Sequence, residues 1–243
     1  MTKVNGSISR RAFFEVVGLA GPSAAVIGLA GCSGGAPSSS SAAASSASSP
    51  AASAASASAS AQQQGPVTKP VGKSLVAFFS RAGENYGVGV VEEGNTAIVA
   101  HMIAGKVVSD TFEIVPVEPY PEGYDACLAQ AKNEQNAKAR PALAESLDNL
   151  ADYETIYLGY PIWHSDLPMV VYAFLESQNW QGKTIAPFCT HGDSGIGSTV
   201  ATLKAVCKGA TVKDGLAIKG ETAQNDRDQA ELAVNEWLAK VRS

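Results

Sequence analysis

Two nucleotide signatures are missing from this chain. There is no Gly-x-Gly-x-x-Gly fingerprint for a dinucleotide and no complete Gly-x-x-x-x-Gly-Lys-Ser/Thr loop for a triphosphate. Histidine is scarce, with 3 in 243 residues, and no third histidine or thiolate stands at ligand spacing to His164, His191 and Asp193. That argues against a metal site. The four cysteines contain no Cys-x-x-Cys pair. Cys127, Cys189 and Cys207 read as buried or lone thiols, with one disulfide among them left open. No internal repeat is visible, and no general acid or base stands out.

Positive charge is also in short supply, and between Ser33 and Gln64 there is no charge at all. That stretch is almost wholly Ser and Ala and cannot bury enough apolar surface to offset the entropy of ordering it, so it reads as a flexible spacer. Before it, Ser9-Arg10-Arg11-Ala12-Phe13-Phe14 and the broken apolar stretch from Val16 to Ala30 resemble a twin-arginine export signal. Leu29-Ala30-Gly31-Cys32 resembles a lipoprotein cleavage box, with Cys32 as the lipidated residue. An uncleaved membrane anchor is the other reading of the same stretch. Either one puts the rest outside the cytoplasm, anchored to the bacterial cell membrane. Loss of residues 1–31 removes Lys3, Arg10, Arg11 and Glu15 and leaves 15 basic against 22 acidic residues, a net charge of −7. Binding to nucleic acid is therefore disfavoured. The expected organisation is a signal over 1–31, a lipidated Cys and linker over 32–72, and a folded domain over 73–243.

From Lys73 onward, short apolar runs alternate with helical periods, which predicts a parallel sheet covered by helices on both faces. Five strands are expected: Ser74 to Phe79, Thr111 to Val115, Thr155 to Gly159, Thr184 to Cys189, and one within Thr211 to Ile218. Helices are expected from Gly94 or Asn95, over Tyr124 to Ala139, after Asp166 as cap with Pro168 in the first turn, after Ser198, and over Asp226 to Lys240. Pro141 to Asp152 reads as a connecting loop, and the polar character of the second helix suggests a well-solvated face.

Ligands of such sheets sit outside the carboxyl ends of the strands. Three loops there carry distinct chemistry. Ser80-Arg81-Ala82-Gly83, then Gly94-Asn95-Thr96 opening a helix, offer a phosphate cradle. Tyr160-Pro161-Ile162-Trp163 offers a rigid turn with an indole. Thr190-His191-Gly192-Asp193-Ser194-Gly195 offers glycines that let backbone approach a flat polar heterocycle. An anion at one end and an aromatic plane at the other describe a flavin mononucleotide (FMN).

These strings, with Phe79 to Tyr86, Gly159 to Trp163 and Pro187 to Gly195, make the domain from Lys73 to Val241 resemble the flavodoxin family, in particular bacterial members whose phosphate loop is split by an insertion. The resemblance implies a flavodoxin-like α/β fold, a doubly wound five-stranded parallel sheet in the order 2-1-3-4-5. It implies that Ser80, Arg81, Asn95 and Thr96 hold the phosphate of FMN, that Pro161, Ile162 and Trp163 line one side of the isoalloxazine, and that Thr190, His191, Gly192, Ser194 and Gly195 edge its pyrimidine end. His164 and Ser165 stand where relatives more often carry Trp then Gly, and Asp193 where a second Gly is common. Individually, Trp163 also suits rim packing, Glu84 and Asn85 suit a solvated turn, and Tyr120 and Tyr124 suit packing rather than the pocket. The function expected is a flavin-dependent redox protein that passes electrons or hydride to a partner protein, a quinone or another small molecule. The other reading is a tethered flavodoxin-fold binding module with no redox role.

Overall fold

The computed structural model describes residues 73–243. The export signal, Cys32 and the Ser/Ala spacer lie outside the described residues. Strand β1 (Ser74–Phe78) is buried along its whole length. Leu75, Ala77 and Phe79 enter one hydrophobic cluster, and Val76 and Phe78 enter another. Period-2 alternation with no polar face places β1 at the centre of a sheet covered on both sides.

A small antiparallel hairpin follows, β2 (Gly83–Asn85) with β3 (Gly89–Val91), in place of a plain inserted loop. The chain continues through α1 (Asn95–Ala104), β4 (Ser109–Glu113), α2 (Tyr124–Ala137), β5 (Thr155–Pro161), α3 (Met169–Glu176), β6 (Thr184–His191) and α4 (Thr199–Val206). It ends with β7 (Thr211–Val212), β8 (Leu216–Lys219), α5 (Gly220–Asn225) and α6 (Arg227–Val241). The main sheet runs β4-β1-β5-β6-β7, with β8 also on β6, and each of its pairings is parallel. In order of parallel strands this is the 2-1-3-4-5 arrangement, and the fold is flavodoxin-like α/β. Helices α1, α5 and α6 cover one face through Ile98, Ala223 and Trp237. Helices α2, α3 and α4 cover the other through Cys127, Phe174 and Leu203. No described helix is long and apolar enough to cross a membrane.

Several boundaries differ from expectation, each for a physical reason. The fifth strand is broken into β7 and β8 opposite Ala186 and Pro187. Ile185 O accepts from Lys213 N at 2.8 Å, and by two-residue alternation Pro187 faces the same neighbour, where it has no N–H to donate. The second strand is Ser109–Glu113 rather than Thr111 to Val115, because Val115 and Val117 turn to pair with Ala142 and Ala144. The expected loop after Pro141 is thereby tied down, and it closes in a 3-10 turn at Leu150–Asp152. Asp166 does not cap α3. Pro168 occupies that position, while the Asp166 carboxylate accepts from Leu167 N (2.8 Å) and Tyr172 O–H (2.9 Å). Asp226 does cap α6, accepting from Gln229 N at 3.1 Å.

Candidate functional site

The carboxyl ends of β1, β5 and β6 open into a cleft of about 260 Å³ whose fourth wall is α2. It brings together Ser80, Arg81, Asn95, Thr96, Pro161, Ile162, Trp163, Thr190, His191 and Gly192. Ser194 and Gly195 are outside its lining, in the turn before α4, where Ser194 Oγ donates to Gly195 O.

At one end, the Ser80-Arg81 turn runs directly beneath the start of α1. A Cβ on Gly94 would come within 2.3 Å of Ser80 Oγ and 2.5 Å of Arg81 O, so only glycine admits this crossing. Ser80 Oγ accepts the N–H of Ala97 at 3.0 Å, capping α1 from seventeen residues away. Because Oγ is the acceptor there, its own O–H proton remains to be given to an anion. The amides that open a helix have no intrahelical acceptor; that of Ala97 is taken by Ser80 Oγ, and Asn95 and Thr96, the two residues before it, line the cleft. Thr96 Oγ1 and Thr190 Oγ1 lie 2.8 Å apart, with both residues almost fully buried. One hydroxyl must donate to the other, which leaves one proton of the pair for a ligand. Asn95 Oδ1 takes Gln224 Nε2–H at 2.8 Å, so the group Asn95 has to offer a ligand is its Nδ2.

Arg81 lines the cleft, but its guanidinium is occupied. It donates to Pro121 O and Glu122 O at 2.9 Å each and closely to Glu84 O. These three bonds pin the hairpin to the loop before α2. Since all three partners are carbonyls, they leave the positive charge uncompensated beside the cradle.

At the other end stands Trp163. Its indole meets Phe79 and Tyr120 nearly perpendicularly, with ring centroids 5.3 Å and 4.8 Å away, so its plane is fixed by core packing while it lines the cleft. The turn after it is narrow. Trp163 and Asp166 exchange two backbone hydrogen bonds of 3.0 Å, with His164 (φ 47°) and Ser165 (φ 65°) between them in the left-handed region. Two consecutive positive φ values are the pattern of a type I′ turn, which favours Asn-Gly. His164 Nε2 donates to Leu128 O at 2.9 Å and holds the turn against α2.

On the third loop, His191 Nδ1 is shielded from solvent and has no hydrogen-bond partner. Burial holds the imidazole pKa below its ordinary value; the Gly192 backbone and Asp193 act the other way, and Lys219 acts with burial. Lys219 Nζ is paired to Asp193 Oδ1 at 2.7 Å. Gly192 lies against Tyr86 of the hairpin, where an added Cβ would meet the phenol ring at 2.6 Å. Among the described residues no cluster of His, Cys, Asp or Glu could hold a metal. Cys127, Cys189 and Cys207 are all free and buried, and burial pushes the Cys189 and Cys207 thiols up to about 12.

The cleft also takes in Asn85, Tyr86, Tyr124, Cys127, Leu128, Ala131 and His164. The α2 set was visible as a stripe at 124, 127, 128 and 131, the spacing of one helical face, within a helix whose polar content suggested solvent. Tyr86 had no periodic signal, because the hairpin that carries it is six strand residues and a turn.

A family model described as flavodoxin matches residues 73–240. A candidate flavoprotein from Bacteroides eggerthii is 29% identical, with a TM-score of 0.56, over 70% of this chain and 98% of that one. A second from Bacteroides uniformis is 31% identical, with a TM-score of 0.55, over 68% and 98%. A flavoprotein in complex with FMN from Lactobacillus acidophilus is 19% identical, with a TM-score of 0.48, over 63% and 97%. No curated protein matches the chain. With the family model spanning well over half of the sequence and the doubly wound sheet in place beneath it, the chain belongs to the flavodoxin family.

Proposed function

We propose that this protein binds FMN in the cleft and acts as a redox protein, an electron carrier or a reductase of a quinone or other small molecule, held outside the cytoplasmic membrane by a lipid on Cys32. The observation that carries the reading is the division of one cleft into two chemistries. Hydroxyls and helix amides gather at Ser80, Asn95, Thr96 and Thr190, and an indole of fixed orientation stands at Trp163. The residues present fit the cofactor. The turn packed against Gly94, where an added Cβ would strike Ser80 Oγ and Arg81 O, is the phosphate end, and His191 lines the cleft with an imidazole that suits a heterocycle edge.

When bound, FMN supplies the one- or two-electron chemistry that amino-acid side chains lack. The chain does the rest. Ser80 and the Thr96–Thr190 pair donate to the phosphate, Trp163 covers ring surface against water, and Tyr86 with Gly192 narrows the mouth. The tether rests on sequence: Arg10, Arg11, Cys32 and the uncharged spacer. Export by the twin-arginine route suits a carrier that leaves the cytoplasm folded with its cofactor bound.

The test is to purify the protein, record its visible absorbance, denature it and identify the released compound. One equivalent of FMN is expected. Colourless protein that takes up no FMN from an excess would overturn the reading in favour of a binding module.

A further inference from the structure

His191 sits at the end of β6 and lines the cleft, with its Nδ1 shielded from solvent and without a hydrogen-bond partner. Charging a ring with a shielded, acceptor-free nitrogen is disfavoured until a compensating negative charge lies near it. Its electrostatic surroundings are sparse. Asp193 on its own loop and Lys219 at the end of β8 are the charged groups that act on it, and they are paired with each other at 2.7 Å. Their effects on the imidazole are opposed. The hairpin brings Tyr86 across Gly192, beside it. No carboxylate free of a cation partner faces His191 among these groups, so a new negative charge in the cleft would be the largest influence on its protonation.

We propose that His191 is a redox-linked proton site: neutral when the flavin in the cleft is oxidised, and protonated when the flavin is reduced. This rests on the proposed FMN reading and adds a second proton to it. An oxidised flavin takes two electrons and one proton from solvent to give a reduced ring with one negative charge. His191 takes one further proton from solvent, at the imidazole nitrogen, and the imidazolium neutralises that charge. The electrons come from an external two-electron reductant, dithionite in the test and a reduced partner of the same capacity in the cell. An opposite charge within a few ångströms in a low-dielectric wall raises an imidazole pKa, so the coupling needs no movement of the loop. The arrangement also favours the reduced state more at low pH than the ring alone would.

The experiment measures the midpoint potential of the full-length, FMN-loaded protein by redox titration with dithionite from pH 5.5 to 8.5. For a two-electron couple each proton taken up moves the midpoint by about 30 mV per pH unit. The wild type is expected to show twice that slope over the range where reduced His191 is protonated and oxidised His191 is not, falling back to the single-proton slope above it. H191Q keeps a neutral polar side chain and is expected to show the single-proton slope throughout. A packing role for His191 would alter stability without altering the slope. The imidazole proton resonances of the wild type, followed by NMR in the oxidised and reduced states, test the same point if H191Q does not fold. A single-proton slope in the wild type, or an imidazole that titrates identically in the two states, overturns the proposal while leaving FMN binding intact. Failure to bind FMN at all overturns the earlier reading instead.

Discussion

Thr96 Oγ1 and Thr190 Oγ1 are 2.8 Å apart in the buried floor of the cleft, joining the first turn of α1 to the end of β6 across 94 residues of sequence. Replacing one of them leaves the other hydroxyl buried without its partner; replacing both with valine removes the problem along with the bond. T96V and T190V are each expected to lower stability by about 1 to 3 kcal/mol, and the double variant by less than their sum. A double-mutant cycle in urea reads the difference. For ligand binding, T96A and S80A should each weaken FMN by about 1.5 to 3 kcal/mol while leaving riboflavin, which has no phosphate, nearly unaffected. Equal losses for both ligands would move the phosphate away from this corner.

Trp163 packs against Phe79 and Tyr120 and is proposed to cover the flavin, and W163A tests both roles. Loss of its perpendicular contacts with Phe79 and Tyr120 is expected to lower stability. If Trp163 covers the flavin as proposed, its loss is expected to weaken FMN by about 2 to 4 kcal/mol and to raise the emission of the bound ring. Thermal melts and fluorescence titration separate the two. A change in melting alone would confine Trp163 to packing.

The tight turn between Trp163 and Asp166 offers a gain rather than a loss. Ser165 holds a φ of 65°, a region glycine enters without steric cost. S165G relieves that strain at the cost of a more flexible unfolded chain, and is expected to raise stability by up to about 1 kcal/mol, read as an increase in the urea midpoint. No gain would mean that the backbone is fixed there by contacts glycine does not keep.

The pH dependence of stability without cofactor follows from His191. Its folded pKa lies below the unfolded value because burial disfavours the charged ring. Between those two values the unfolded chain binds the extra proton, so stability rises with pH through the window just under the ordinary histidine pKa and levels off above it. Comparison of wild-type and H191Q melting temperatures from pH 5 to 7.5 checks the sign, because the variant should lack this component.

Location is tested at Cys32. C32S is expected to release the protein from the membrane fraction, since lipid attachment would supply most of the anchoring. Retention of C32S in the membrane would favour an uncleaved N-terminal anchor.

The sheet could be read from sequence because three of its long strands, β1, β5 and β6, are apolar runs such as Ile156 to Gly159 or Ile185 to Cys189, bounded by residues that stop strands, whereas β4 at the sheet edge is Ser-Asp-Thr-Phe-Glu, and the sequence places it two residues late. What resisted reading was set by partners distant in sequence. Pro187 breaks a neighbouring strand twenty-odd residues downstream, which no local pattern announces. Arg81 looks like an anion ligand beside Ser80, yet its guanidinium is claimed by carbonyls forty residues on. Tyr124, Cys127, Leu128 and Ala131 share one helical face, but which face meets a cleft is decided by packing. Hydroxyls and glycines at any one strand end serve ordinary turns, and the cleft loops stood out only because three of them, after β1, β5 and β6, carry different chemistry at the same edge of one sheet.

The three thiols of the folded domain are sealed inside it, at Cys127 on α2, Cys189 on β6 and Cys207 at the end of α4, and none is bonded to another. A domain built this way needs no disulfide to mature. It folds without an oxidase or a disulfide isomerase, so folding can finish in a reducing compartment. The finished domain then has each of its three thiols buried.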